Sequence, residues 1–443
     1  MLTKERKRSI SILEYLIILI TVLFSIMRIL IYPGLRGFNC NEPGPLLFKN
    51  CSSPVPWPEL LWLLGACLAA IFLMMKLGLF PRYLKAWKAA WVVLLFLGVI
   101  LSSTIWSVFP AATFFRALSL IMITFLAAFI GIRWSLWEVV DILAWVMAIL
   151  AVLSCIAVFL LPGIGTMSNP PYIGSWTGIF WHRNYLGTMM ALASMVFLVR
   201  LLASGKSTIR LLINGFFYGL SMALVVKSRS ATGLILAGIL TSVCLLFYLW
   251  TIIRSKIKPK GYLIIGLSII VLFVVAILKI ETLLGLLGRN TTFTGRVPLW
   301  IYLLENYIYQ RPWLGYGYGV FWSYEQVRNQ TQAVLGWMYP VLIGDNGWMD
   351  MFLHLGGLGI ILFVLFLIQF GILSVKNVIR EKSVVSFFPV LLLIFTVIGN
   401  ITLSLFLELE SFTWVLMIAT LFSIWSMCNL VEVKDNSLVS SGQ

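Results

Sequence analysis

Apolar runs of membrane-spanning length set the pattern of the chain. They cover residues 10–32, 58–76, 89–107, 112–132, 137–161 and 184–203, then 211–227, 230–252, 262–280, 347–374, 384–404 and 411–430. A helix rising about 1.5 Å per residue needs about 20 apolar residues to cross a hydrocarbon core roughly 30 Å thick. Each run therefore predicts a spanning helix, about twelve in all. The run at 347–374 is longer than needed and predicts a helix that tilts or extends beyond the bilayer.

The one long interruption is residues 281–346, where polar and aromatic positions replace the apolar pattern. It gathers Arg289, Arg296, Arg311 and Arg328 and the glycine string Gly315, Gly317, Gly319. Inside it, VPLWIYLLENYIYQ has the apolar and aromatic spacing of an amphipathic helix lying on the bilayer surface, with Pro298 suited to its first turn. No strand–turn–helix unit surrounds the GYGYG string, so it reads as a tight turn and not as a dinucleotide fingerprint. No internal repeat or linker divides the chain. The expectation is an all-α polytopic membrane protein, one integral domain over 1–443, with 281–346 as a large extracytoplasmic loop containing a surface helix.

Composition excludes a soluble fold. Of the 443 residues 61% are hydrophobic and 11% charged, with mean hydropathy +1.00, more apolar surface than a compact interior can hide. The net charge of +16 is spread over short loops, the pattern of membrane orientation and not of nucleic-acid binding. The basic N-terminus precedes an apolar run too long for a cleavable signal. The positive-inside bias puts both termini in the cytoplasm, with 20 of the 32 basic residues inside. The twelve left outside are nine arginines and three lysines. Arginine's planar fork of donors suits bidentate contact with phosphate.

Cys67, Cys155, Cys244 and Cys428 lie in or beside apolar runs and read as small hydrophobes. Cys40 and Cys51 share one polar loop. A disulfide forms there if the loop faces an oxidising compartment, and two free thiols are the alternative. With two histidines and scattered cysteines, no metal-ligand spacing is present and no cofactor is implied.

The same topology brings five polar islands to the outer face: WHRNYLG (181–187), KSRS (227–230), TGRVPLW (294–300) with QRPWLGYGYG (310–319) behind it, GDNGW (344–348) and ELES (408–411). Their convergence is the argument for one site. His182 and Asn184 open a helix and also fit ordinary capping chemistry. Arg229 sits in a tight turn between apolar helices, where a charge needs a partner, and a bound phosphate or a salt bridge would both serve. Arg296 at a helix start, beside free backbone N–H groups, makes an anion site, with headgroup snorkelling as the alternative. His354 reads as a buried, hydrogen-bonded histidine within the tenth helix.

At these islands the sequence resembles the O-antigen ligase / O-antigen and exopolysaccharide polymerase superfamily. The residues that carry the resemblance are GIFWHRNYLG, SRS, TGRVPLW, QRPWLGYGYGVFW, DNGWMDMFLHLGGLG and LELES, in that order over residues 175–415. RPWLGYGYGVFW and WHRNYLG look closer to the exopolysaccharide-polymerase branch. The resemblance implies a metal-independent, inverting glycosyltransferase of the bacterial inner membrane. Its donor would be a glycan on undecaprenyl diphosphate, its acceptor a glycan or glycolipid hydroxyl, and its expected partners other polysaccharide-export proteins.

By the same resemblance, Arg229 and Arg296 hold the diphosphate, with Arg183, Asn184, Ser228, Arg311, Asn346 and Glu410 in support. The family's His-Asn motif here reads Asp345-Asn346, a departure that makes Asp345 the expected base and His182 its rival. Either an imidazole or a carboxylate can accept a hydroxyl proton. A ligase acting on lipid A core, a transporter and a non-catalytic scaffold of an export complex are the competing readings.

Overall fold

The computed structural model describes residues 12–30, 57–168, 172–253, 296–323, 325–335, 343–381, 383–406 and 412–440. Among them the chain is helical, with one isolated bridge between Thr166 and Trp176. We number the helices α1 (Ile12–Leu30), α2 (Trp57–Lys76), α3 (Phe80–Ala89), α4 (Trp91–Ser102), α5 (Pro110–Arg133), α6 (Leu136–Leu160), α7 (Arg183–Leu202), α8 (Thr208–Ser228) and α9 (Ala231–Ile253). They continue as α10 (Arg296–Leu303), α11 (Glu325–Leu335), α12 (Gly347–Glu381), α13 (Phe388–Gly399) and α14 (Phe412–Ser440). Eleven of the twelve apolar runs coincide with helices, and the run at 262–280 lies outside the described residues. Among the described residues six helices are long and apolar enough to cross a membrane, or up to seven if the bent pair of α2 and α3 is one span. The remaining matches are shorter or described only in part, so the expected count of about twelve is not reached among the described residues.

Local chemistry explains where the helices start. Pro110 opens α5, where a missing N–H costs nothing. Ser135 and Glu138 form a reciprocal capping box at the head of α6. Between α2 and α4 lies the short α3, which leaves α2 at 113°. Its Tyr83 and Ala86 are buried, and Lys85 and Lys88 are exposed.

Helix α7 is the centre of the bundle. Every residue from Arg183 to Val199 is buried, as expected of a helix apolar nearly all round. It is held against the turn between α8 and α9 by close backbone approach, because a Cβ on Gly187 would overlap Ser230, and one on Gly233 would overlap Gly187. On the other side of the bundle α5 packs on α14, where Trp414 Nε1 donates to Thr124 Oγ1 at 2.8 Å. Cys67 and Cys244 are buried free thiols and Cys155 is a half-buried one, whereas Cys40 and Cys51 and the side chain of Cys428 lie outside the described residues.

Helix α12 is broken. Gly356 has φ 64° and ψ −162°, which ends the first nine residues and starts a second helical stretch. Such a break frees carbonyls above it and N–H groups below it. The loop residues 312–317 occupy both sets. Tyr316 N donates to Leu353 O at 2.8 Å, and Gly317 N to His354 O at 3.0 Å. In return Gly357 N donates to Pro312 O at 2.7 Å, and Leu358 N to Trp313 O at 3.2 Å. Gly315, with φ 64°, lies so close to His354 that a Cβ there would overlap its backbone. The expected tight turn is thus a strand of loop stitched into a split helix, and the glycines are there for close approach.

The helix expected over 297–310 is present as α10 followed by a π-helical turn over Leu304–Ile308. Its apolar side is not turned to the bilayer. Leu299, Leu303 and Ile308 are buried with Tyr316, Phe321, Trp322, Val327 and Leu353 in a small core of their own. The loop's own aromatic residues outcompete the bilayer for that face, which corrects the surface-helix expectation.

Candidate functional site

The site forms where the N-terminal ends of α7, α9, α10 and α12 meet the C-terminal ends of α8 and α13. His182 is the N-cap of α7, and its Nδ1 accepts from Asn184 N at 3.2 Å. With Nδ1 used as an acceptor, the proton of the neutral ring sits on Nε2. Burial and the nearby positive charges of Arg183 and Arg296 push its pKa down to about 4. Asn184 is buried in the same turn.

Arg183 is also buried. Its Nη1 donates to the backbone carbonyl of Arg229, and its guanidinium stacks on Tyr172 at 3.7 Å. It clamps the first island to the second. Ser228 is buried, donates to Val225 O at 2.7 Å and accepts from Ser230 N at 3.2 Å, so it shapes the turn. Arg229 caps α8 in the left-handed conformation, φ 52°. Its side chain is exposed, and no hydrogen bond or ion pair holds its guanidinium among the described residues. Arg229 and Asp345 (φ 48°) are the two non-glycine residues with positive φ there. Backbone strain of this kind collects where function requires a particular geometry.

Arg296 and Asp345 form the centre. Arg296 Nε donates to Asp345 Oδ2 at 3.1 Å, with side-chain exposures of 14% and 29%. Burial raises the Asp345 carboxyl above its ordinary value, and Arg296 pulls it down without reversing the direction. Asn346 caps α12, its Oδ1 accepting from Trp348 N at 3.0 Å and Met349 N at 3.2 Å. The turn is fixed from behind by Trp300 Nε1, which donates to Gly344 O at 2.9 Å.

Several residues that carry this geometry were not singled out from sequence. Asp350, buried one turn into α12, accepts from Trp322 Nε1 at 2.7 Å, from Gly344 N at 3.1 Å and from the Ser404 hydroxyl. One carboxylate thereby joins the loop, the Asp345 turn and the segment after α13. Sequence held a single hint of this, an acid inside an otherwise apolar helix, which needs internal partners. The hydroxyls of Thr232 and Thr402 lie 2.7 Å apart and tie the start of α9 to the segment after α13, and Gly347 N donates to Asn400 O at 2.9 Å.

Other expected members fall elsewhere. Arg311 lies against Trp106 O at 3.5 Å and Tyr316 at 4.9 Å, a brace for the loop and not part of the arginine group. His354 is buried as expected, but neither ring nitrogen has a hydrogen-bond partner among the described residues, which corrects the reading of it as satisfied. Helix α12 breaks two residues beyond it and commits the His354 carbonyl to Gly317. Glu410 lies outside the described residues. Among the described residues no group of three His, Cys, Asp or Glu side chains is placed to hold a metal ion.

Comparison with known families adds one finding. Residues 215–364 match the O-antigen ligase family. No curated protein matches the chain. The matched region spans about one third of the 443 residues and runs from α8 past the break in α12. It contains Arg229, Arg296, Asp345 and Asp350, while His182 and Arg183 precede it. The match supports the resemblance drawn from the sequence, and with it a membrane glycan enzyme of the O-antigen ligase/polymerase type. That type acts on a lipid-linked glycan and an acceptor.

Proposed function

We propose that this protein is a glycan polymerase of the O-antigen or exopolysaccharide type, transferring an undecaprenyl-diphosphate-linked oligosaccharide to an acceptor hydroxyl at the outer face of the bacterial inner membrane. The observation that carries the reading is the Arg296–Asp345 contact, with the exposed Arg229 in the turn that Arg183 clamps to the start of α7. It combines a base with two forked cations, the parts a displacement at an anomeric carbon needs. In this reading about twelve helices span the membrane, residues 281–346 form the external loop, and both termini are cytoplasmic.

The step balances without further reagents. Asp345 takes the proton of the acceptor hydroxyl as its oxygen bonds to the anomeric carbon. The bond from that carbon to the diphosphate breaks, the electron pair leaves with the phosphate oxygen, and the configuration inverts. Arg296 uses Nε for Asp345, which leaves its Nη groups for the departing phosphate, and Arg229 supplies a second fork. His182, with its Nδ1 committed to the cap, suits hydrogen-bond donation through Nε2 better than proton abstraction.

Purified protein incubated with undecaprenyl-diphosphate oligosaccharide tests the proposal. A ladder of products supports a polymerase, a single adduct on lipid A core supports a ligase, and no transfer to any acceptor removes the reading. The break in α12 favours one alternative, since transporters use interrupted helices. Solute accumulation in proteoliposomes without glycan transfer would establish it.

A further inference from the structure

We infer that the outer loop carries a membrane anchor: Tyr309, Trp313 and Leu314, with Ile105 beside them, rest in the outer leaflet at the boundary between hydrocarbon and headgroups. Helix α12 has more residues than one membrane crossing needs. At 1.5 Å per residue its 35 residues extend about 52 Å, well beyond a hydrocarbon core of about 30 Å. Its basic end, Lys376 and Arg380, belongs at one headgroup layer. About 20 residues back from Lys376 is residue 356, where the helix breaks. The membrane boundary and the break therefore coincide.

Two independent features agree with this register. Below the break the outward face of α12 is apolar, with Ile361, Leu365, Ile368 and Ile372 all exposed one or two turns apart, a stripe suited to acyl chains. Directly above its start, the ring of Trp313 lies where a Cβ on Gly357 would touch it at 3.3 Å. Trp313 and Tyr309 are each 67% exposed, Leu314 is 42% exposed and Ile105 84%. Trp106 Nε1 donates to Leu314 O at 2.8 Å and so joins the turn after α4, which carries Ile105, to the loop segment that carries Tyr309, Trp313 and Leu314. Tryptophan and tyrosine favour the interface, where a ring meets acyl chains and its polar edge meets water. The patch thus continues the lipid-facing stripe of α12 upward by one turn. Its occupant is the lipid leaflet, not a second protein surface.

The consequence concerns the site. The first part of α12, Gly347 to Leu355, rises at most about 13 Å above the boundary. The Asp345 turn is therefore held within or just above the headgroup layer, which is about 5–8 Å thick on each side. If the proposed function holds, a lipid-linked diphosphate meets Arg229 and Arg296 without leaving the membrane.

The test reads depth and not activity, so it stands or falls separately from the proposed function. In full-length protein with its six native cysteines replaced, nitroxide labels are placed singly at Trp313→Cys, Ile361→Cys and Asn329→Cys. Each is reconstituted in vesicles of phosphatidylethanolamine and phosphatidylglycerol. Collision rates with oxygen and with a water-soluble nickel chelate give the depth of each label. The expected order is Ile361 in the hydrocarbon, Trp313 at the boundary, within about one helical pitch (~5 Å) of the phosphates, and Asn329 in water. Nickel accessibility at 313 equal to that at 329 overturns the anchor. Shielding of 313 from both reagents also overturns it, because a protein contact then covers the patch. A label at 313 as deep as the one at 361 overturns the register. Leu314→Cys is read in the same way if Trp313→Cys does not fold.

Discussion

Arg296 and Asp345 are 49 residues apart in sequence and 3.1 Å apart in space. The contact joins the two halves of the proposed chemistry, because the group that would hold the leaving phosphate also holds the base. Each sets the other's properties. Removing the carboxylate frees a cation, and removing the cation leaves a half-buried carboxylate without its partner.

Asp345→Asn keeps the size and shape of the side chain but cannot take a proton. It is expected to lower transfer by about 100- to 10,000-fold, the usual range for a positioned base, with donor binding unchanged. Asp345→His restores the base of the family motif and is expected to recover part of the activity. Product formation from lipid-linked oligosaccharide, beside a donor-binding measurement, checks both. Full activity in Asp345→Asn would move the base to His182.

Arg229→Ala and Arg296→Ala each remove a forked cation and are expected to reduce transfer by about 100- to 1,000-fold. Lysine rescues neither fully, since one ammonium cannot serve two phosphate oxygens at once. At Arg296 it must also replace the Nε contact to Asp345. The double variant Arg296→Ala, Asp345→Ala is expected to lose less than the product of the two single losses, because the residues touch. Rates of the four forms of the cycle measure the coupling.

The pH dependence follows from two shifts of opposite direction. Asp345 acts when ionised, and burial raises its pKa, so transfer falls as pH drops through a value above the ordinary carboxylate one. Arg296 lowers that pKa, so in Arg296→Gln the acid limb of the residual activity moves to higher pH. His182 is lowered from 6.5 to about 4, so the unfolded chain binds a proton that the folded chain refuses in that window. Stability is therefore lost as pH falls from 6.5 towards 4, and His182 does not affect stability above it. His182→Asn keeps a capping oxygen and removes this contribution, which unfolding midpoints between pH 4 and 7 would show as a flatter profile.

Asp350→Ala leaves the Trp322 indole, the Gly344 amide and the Ser404 hydroxyl facing a buried gap. Each unsatisfied donor costs about 1–3 kcal/mol, so a loss of at least about 3 kcal/mol is expected in unfolding experiments in detergent. Ser404→Ala removes one donor and is expected to cost about 1 kcal/mol.

Gly356→Ala forces a Cβ into the Trp313 backbone at a φ of 64°. A cost of about 1–3 kcal/mol is expected, with the bonds between the loop and α12 weakened and protease sensitivity raised within 312–317. Gly98 lies inside α4 with open space around its Cβ position. Gly98→Ala is expected to be neutral or to stabilise by about 0.5–1 kcal/mol, and serves as the control.

By itself the sequence determined the class and the plan of this protein. Runs of about 20 apolar residues have one stable environment, so helices and a membrane follow from length and hydropathy alone. The order of the spans gathers His182, Arg229, Arg296 and Asp345 at one end, because a helix crossing a bilayer carries its two ends to opposite faces. Only the tertiary structure decided what those residues do to one another. That Arg296 meets Asp345, that Arg183 is spent on the Arg229 carbonyl and that Arg311 braces the loop against Trp106 depend on contacts over 46 to 205 residues. No local pattern encodes such distances. The same holds for the break at Gly356 and for Asp350. Hydropathy averages over a glycine or an acid in an apolar run, whereas the fold must find a partner for every backbone and carboxylate group that it buries.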